Sequence, residues 1–409
     1  MRKLMLKAAW LLGIVSLAAL LYVGALATMN GLGPVSLLIG ETIDVRRHVT
    51  LEYSDPVFGD PPSIEKVWDA PSRFRIWGDD YLSPPAVSGG VAFVHAADCH
   101  LYAIDLATHS RKWGRDAYCY PDTPLITNGS VVIMATQPKI FAFDVGTGEL
   151  VWERRELWRI STGHFYLEND TLFLPVTDQI VALDAMTGET RWTASVSGLS
   201  EIALNEGSIV VVSGAKLTGF DAQTGRQSWD IRIDGLKTIK AITADYGVIV
   251  VTDCEHQVVA LGSPNFTEAW RFDSRMQFAP EDVAVGRPSD FCGAPLFLSQ
   301  ERVHVHIRRG AGWSWIALDM GAGAYLWTAS ANLDETALAL CGRWICGIGA
   351  YGLTLEALDL ESGKLAWRFL IEDPHMEGIV VSNGEGFLTN GDDLFRMDFN
   401  SWSEAIRFN

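Results

Sequence analysis

Val181-Ala-Leu-Asp184-Ala-Met-Thr-Gly188-Glu-Thr-Arg-Trp192 decides the fold, because the chain carries eight near-copies of it. A short apolar stretch ends in Asp184, a Thr-Gly pair follows, and Trp192 stands eight residues beyond the Asp. Upstream the pattern runs from Tyr102 through Asp105 to Trp113, and from Phe141 through Asp144 to Trp152. Downstream it runs through Asp221 to Trp229, Gly262 to Trp270, Asp319 to Trp327, Asp359 to Trp367 and Asp398 to Ile406. Asp and Trp each keep their place in seven of the eight copies, and successive Trp are 39, 40, 37, 41, 57 and 40 residues apart.

Two further apolar or alternating stretches precede each motif, as residues 130–135 precede 140–143. A period near 40 with four short strands is a propeller blade, not a helical repeat. The reading is an all-β fold: an eight-bladed β-propeller with four-stranded blades over residues 68–409. Asp and Thr-Gly form the turn between the third and fourth strands, where Asp binds nearby backbone and Gly supplies a positive φ. The Trp opens the outer strand and buries its ring between blades. Trp68, in Lys66-Val-Trp68, stands alone ahead of the first unit and reads as an outer strand that closes the ring; residues 403–408 compete for that place.

With 32 Lys+Arg against 50 Asp+Glu the net charge is −18, which excludes nucleic acid as a partner because phosphate binding rests on basic side chains. Hydrophobic residues at 48% and charged ones at 20% describe a globular chain. Arg2, Lys3 and Lys7 precede an uncharged apolar run from Ala8 to Ala27. Twenty such residues span roughly 30 Å, a hydrocarbon core. Residues 1–27 are thus expected to be a transmembrane signal anchor, or a signal peptide cleaved after Ala25-Leu-Ala27. Residues 28–67, rich in Gly and Pro, read as a tether. The expected location is the inner (plasma) membrane, single-pass, with the propeller in the periplasm or extracellular space.

The repeats resemble the PQQ-like, quinoprotein-type β-propeller family and its A-x-D-x-x-T-G-x-x-W docking motif. The resemblance implies structural roles for Asp105, Trp113, Asp144, Trp152, Asp184, Trp192, Asp221, Trp229, Trp270, Asp319, Trp327, Asp359 and Trp367. One branch of the family is catalytic: quinone-dependent dehydrogenases. The chain has no adjacent Cys-Cys pair to stack a quinone and no C-x-x-C-H for haem. The other branch is the eight-bladed scaffold lipoprotein of the bacterial outer-membrane β-barrel assembly machinery, whose lipid-attachment Cys does not follow the apolar run here. The expected function is therefore a non-catalytic, membrane-tethered periplasmic scaffold or accessory subunit of an envelope complex, without cofactor or metal. Its partner is another envelope or membrane protein. The alternatives are a quinone (PQQ)-dependent dehydrogenase-like domain and a small-ligand sensor.

Two further constellations stand out. Arg302, His304, His306 and Arg308 alternate along one strand face, as an inter-blade polar network, a metal pair, or an anion and partner site. The 57-residue step from Trp270 to Trp327, against steps of 37 to 41 elsewhere, brings about 17 extra residues, a loop long enough to be functional. Most lie between Asp273 and Cys292, in the connection from blade five to blade six. This connection shares a ring face with the second-to-third-strand hairpin near Arg308, so Met276, Phe278, Phe291, Arg308, Arg309 and Trp313 are the candidate partner-binding residues. The same topology pairs Cys99 with Cys119 and Cys254 with Cys292, leaving Cys341 and Cys346 diagonal across a Gly342-Arg343 turn. Mass mapping of the non-reduced protein is expected to find these bonds; six free thiols would overturn both the pairing and the exported compartment.

Overall fold

The computed structural model describes residues 63–69, 82–118, 125–136, 139–155, 165–176, 178–205, 207–253, 257–278, 296–299, 301–309, 312–329, 333–349, 354–370, 376–390 and 393–399. The segment 1–27 and the tether up to residue 62 lie outside them. Among the described residues the strands form eight four-stranded sheets, each an antiparallel meander. In the first blade Ala86–Ser88, Val91–His95, His100–Asp105 and Ser110–Asp116 lie side by side in chain order. The arrangement is an eight-bladed β-propeller.

Burial explains the composition of the strands. A blade is covered on both faces by its neighbours, so its middle strands are apolar throughout: Val91–His95 is buried at every position. The outer strand has one covered face and alternates, as Thr190–Ser195 does.

The eighth blade is completed from the other end of the chain. Met376–Ser382, Glu385–Asn390 and Asp393–Asp398 supply three strands, and Ser63–Asp69 takes the outer place. Its register runs from Ser63 opposite Asp398 to Asp69 opposite Asp393. Among the described residues this pairing is present from Ser63, ahead of the expected boundary at 68, with Ser63 to Lys66 opposite Asp398 to Phe395. Val67, Leu82, Val94, Phe387 and Leu394 then form one core across the seam between the eighth and first blades.

Five seams among the described residues share one contact. Trp113 Nε1 donates to the Val145 carbonyl at 2.9 Å, Trp152 to Ala185 at 2.9 Å and Trp192 to Ala222 at 3.0 Å. Trp270 donates to Met320 at 2.7 Å and Trp327 to Leu360 at 3.1 Å. The acceptor is always the residue after the Asp position of the next blade. That turn is fixed by its Asp: Asp221 Oδ1 accepts from the Thr224 amide and hydroxyl, both at 2.7 Å. Gly225 follows at φ +68°, and a Cβ there would lie 2.5 Å from the Trp192 ring. The turn glycine is thus fixed twice, by its own backbone and by the neighbouring blade's indole.

Trp192→Ala should cost about 3–5 kcal/mol, the range for truncating a buried aromatic. Asp184→Ala should cost about 1 kcal/mol through lost turn hydrogen bonds. Gly225→Ala should cost more than Gly207→Ala, which has φ +78° but nothing within 4 Å of its added Cβ. The shared backbone strain is about 1–2 kcal/mol, and the clash with Trp192 adds about 1–3 kcal/mol. Chemical denaturation of the four variants measures the order; equal costs for the two glycines would remove the seam clash from the account.

Candidate functional site

In a four-stranded meander the second-to-third-strand hairpins and the blade-to-blade connections emerge on one face of the ring. The candidate residues fall on that face. Met276 lies in a short helix, Ser274–Gln277, at the start of the long connection after the fifth blade, and is 89% exposed. Asp273 caps this helix by accepting from the Arg275 amide. Phe278 turns inward instead and packs edge-on against Tyr325 of blade six, ring centroids 5.7 Å apart. Phe291 and Cys292 lie outside the described residues. Arg308 and Arg309 pair with Trp313 and Gly312 at the end of the hairpin in blade six, and their side chains lie outside the described residues.

The same face carries a second group that the sequence reading missed. Tyr118, in the connection leaving blade one, is 49% exposed and stacks on Phe141 of blade two at 4.9 Å. Lys139 Nζ sits 4.9 Å from the Tyr118 ring centroid and donates to its hydroxyl at 3.0 Å. Glu153 completes the set by pairing with Lys139. These contacts hold the Lys139 ammonium above its ordinary pKa, through Glu153 first and Tyr118 second. The Tyr118 carbonyl is fixed by the buried His95 ring, Nε2 to O 2.7 Å. Only pairing across two blades creates this platform, so no local motif announces it.

The alternating basic stretch is divided by the fold. His304 and His306 are buried. His304 lies 5.6 Å from the Trp327 ring centroid, with Ser299 Oγ at 3.2 Å from Nε2, and His306 stacks on Trp315 at 4.9 Å. Each of the two thus lies against an aromatic ring of its own blade. Burial pushes both His95 and His304 down to about 4. Among the described residues no group of three or more His, Cys, Asp or Glu is placed to hold a metal.

Cys341 and Cys346 form a disulfide, Cα atoms 5.9 Å apart, diagonal across the hairpin in which Leu340 faces Ile345. Cys99 is also disulfide-bonded. Cys119 and Cys254, like Cys292, lie outside the described residues. On the inner strands, burial raises Glu201 to about 7, and Tyr166 rises to about 12 through burial and the Glu201 charge.

With this geometry in hand, comparison places the chain among known proteins. A family profile described as outer membrane protein assembly factor BamB matches residues 65–155 and 137–244. Outer membrane protein assembly factor BamB of Moranella endobia (strain PCIT) is 23% identical over 148 residues, 32% of this chain and 38% of that relative. The match therefore spans well under half of the relative. The crystal structure of BamB from Moraxella catarrhalis superposes with TM-score 0.58 at 16% identity, covering 83% of this chain and 98% of that one. The quinohemoprotein alcohol dehydrogenase of Comamonas testosteroni superposes with TM-score 0.54 at 12% identity, covering 83% and 76%. At these identities the superpositions show the fold. The chain is an eight-bladed β-propeller that resembles BamB, with PQQ-like repeats over the matched residues.

The expected single-pass placement in the inner (plasma) membrane is corrected by this result. The relatives are named for outer membrane protein assembly. Among the described residues no helix is long and apolar enough to cross a membrane. The described helix has four residues, against the roughly 20 that a span requires.

The two lowered histidines set a pH window. The unfolded chain takes up their protons near pH 6.5, while the folded chain does so only near pH 4. Stability should fall as pH drops through that window, by roughly 3 kcal/mol per histidine, and level off below it. His304→Gln should flatten the fall in urea midpoints measured between pH 7 and 4.5; an unchanged slope would show that His304 protonates freely in the fold.

Proposed function

We propose that the chain is a non-catalytic β-propeller scaffold of an outer-membrane assembly complex. The observation that carries the reading is the match of the repeats over residues 65–155 and 137–244 to an assembly-factor profile, on a ring that superposes over 98% of a BamB chain. Residues 1–27 serve export and residues 28–62 set the reach of the ring. The ring offers a rigid frame, and binding falls to the loops it carries. We place the partner contact on the face of the blade connections, where Met276 is exposed beside Phe278. Tyr118 extends that face with a residue type that recurs in binding hot spots, held by Lys139 over its ring.

Replacing residues 275–288 with a short Gly-Ser link should leave the ring folded, because no blade strand is removed. The same deletion should abolish crosslinking to outer-membrane assembly proteins in native envelopes. Undiminished crosslinking by the folded deletion variant would move the contact to the opposite rim. Failure of the full chain to capture any assembly protein, together with a saturable spectral change on titration with pyrroloquinoline quinone, would replace the scaffold reading with the dehydrogenase one.

A further inference from the structure

On the opposite face, where the first-to-second-strand turns emerge, the seam between blades six and seven is open. A cavity of about 460 Å³ lies there, lined by Ser299, Glu301 and Arg302 of blade six and by Arg343, Asp359 and Glu361 of blade seven, among others. Arg302 stands at its edge, at a position that differs between blades. The first residue of each second strand faces the Asp position of the third: Val91 faces Asp105, Val131 faces Asp144 and Val248 faces Gly262. Thr171, Ser208, Trp344 and Glu385 hold the same place in their blades, opposite Asp184, Asp221, Asp359 and Asp398. Val91 and Val131 close their seams by packing into the core shared with the next blade. In blade six the position is Arg302, opposite Asp319.

The charges lining the cavity do not cancel internally. Arg343 is engaged by Asp359, with its Nε at 3.1 Å and one Nη at 2.5 Å from the same carboxylate oxygen. Asp319 directs an oxygen to the Ala322 amide at 2.7 Å. Arg302 is partly buried, and its Nε is sealed from solvent with no acceptor among the described residues. A guanidinium without an acceptor in a cleft is a standing site for a carboxylate, which it binds through two parallel N–H bonds. Glu301 and Glu361 are exposed at the same cavity and would repel a simple anion. They favour an ammonium instead. The volume is that of a small-molecule pocket.

We propose that this cavity binds a small zwitterion of the amino-acid class, its carboxylate on Arg302 and its ammonium group toward Glu301 and Glu361. The site is independent of the scaffold reading and stands whether or not the ring captures an assembly protein. Ligand-observed NMR titration of the full chain with L-lysine, hexanoate and cadaverine tests it, since the last two lack the amines and the carboxylate respectively. Lysine should bind at least about ten-fold more tightly than either fragment. Arg302→Met should weaken lysine by a similar factor while near-UV circular dichroism stays unchanged. The double variant Glu301→Gln, Glu361→Gln, at exposed positions, should weaken lysine and strengthen hexanoate, because the repulsion of a simple anion is removed. Absent lysine binding, hexanoate binding as tight as lysine, or an Arg302→Met variant that binds as the parent does would overturn the proposal.

Discussion

The indole N–H that crosses from one blade to the carbonyl of the next is the constraint on which the ring depends. A buried Trp contributes a large apolar body and must also satisfy one donor. The acceptor has to stand at a fixed place, and the Asp turn puts it there. Asp144, for example, accepts from the Thr147 amide and hydroxyl, and its own carbonyl accepts from the Gly148 amide. These bonds hold the Asp144 carboxyl below its ordinary pKa, the Thr147 amide first among them. Asp, Thr, Gly and Trp thus encode a single contact between two units. The Asp-to-Trp spacing is rigid because it is internal to a hairpin, whereas the Trp-to-Trp steps vary because the loops between hairpins bear none of that load.

Departures from the motif show which part of the contact is indispensable. Blade five has Gly262 where the others have Asp, and Trp229 of blade four lies against Phe266 instead, ring centroids 4.5 Å apart. At the far end Trp367 is buried to 1% exposure, yet its Nε1 has no acceptor among the described residues. It packs with Trp344 and Phe399 in a core that also holds the Cys341–Cys346 bond. Aromatic burial therefore persists where the hydrogen bond does not. Blade eight is secured by another means, the backbone pairing of Ser63–Asp69 with Asp393–Asp398, which joins the two ends of the described chain.

This hierarchy explains what could be read from the sequence. Fold and blade number were legible because the seam contact repeats with a fixed residue set. Trp68 was legible as an outer strand without inner partners for the same reason. The pairing from Ser63 was not, since Ser63 to Lys66 carry no motif: backbone register, the Glu65–Arg396 and Lys66–Asp393 pairs and the packing of Ile64 hold them, and all of these partners are remote in sequence. The Tyr118–Phe141–Lys139 group was equally silent: its members come from a connection and a strand of different blades. His304 and His306 alternate as a surface pair does, but the sheet face they share is covered by the neighbouring blade, and the aromatic rings of Trp327 and Trp315 receive them.

The seam contact also separates architecture from function. It uses the outer strand of one blade and the third-to-fourth-strand turn of the next, so it lies on the rim opposite the blade connections. Those connections can lengthen, as after the fifth blade, without touching it. The rim itself is less free, because the first-to-second-strand turns neighbour the docking turns. Arg302 shows the consequence. A charged residue at the position that Val91 and Val131 fill in the first two blades leaves the Trp327–Leu360 bond intact at 3.1 Å, with a cavity beside it. The indole fixes the blades far enough apart in the chain, and firmly enough, that a neighbouring seam position can exchange packing for chemistry.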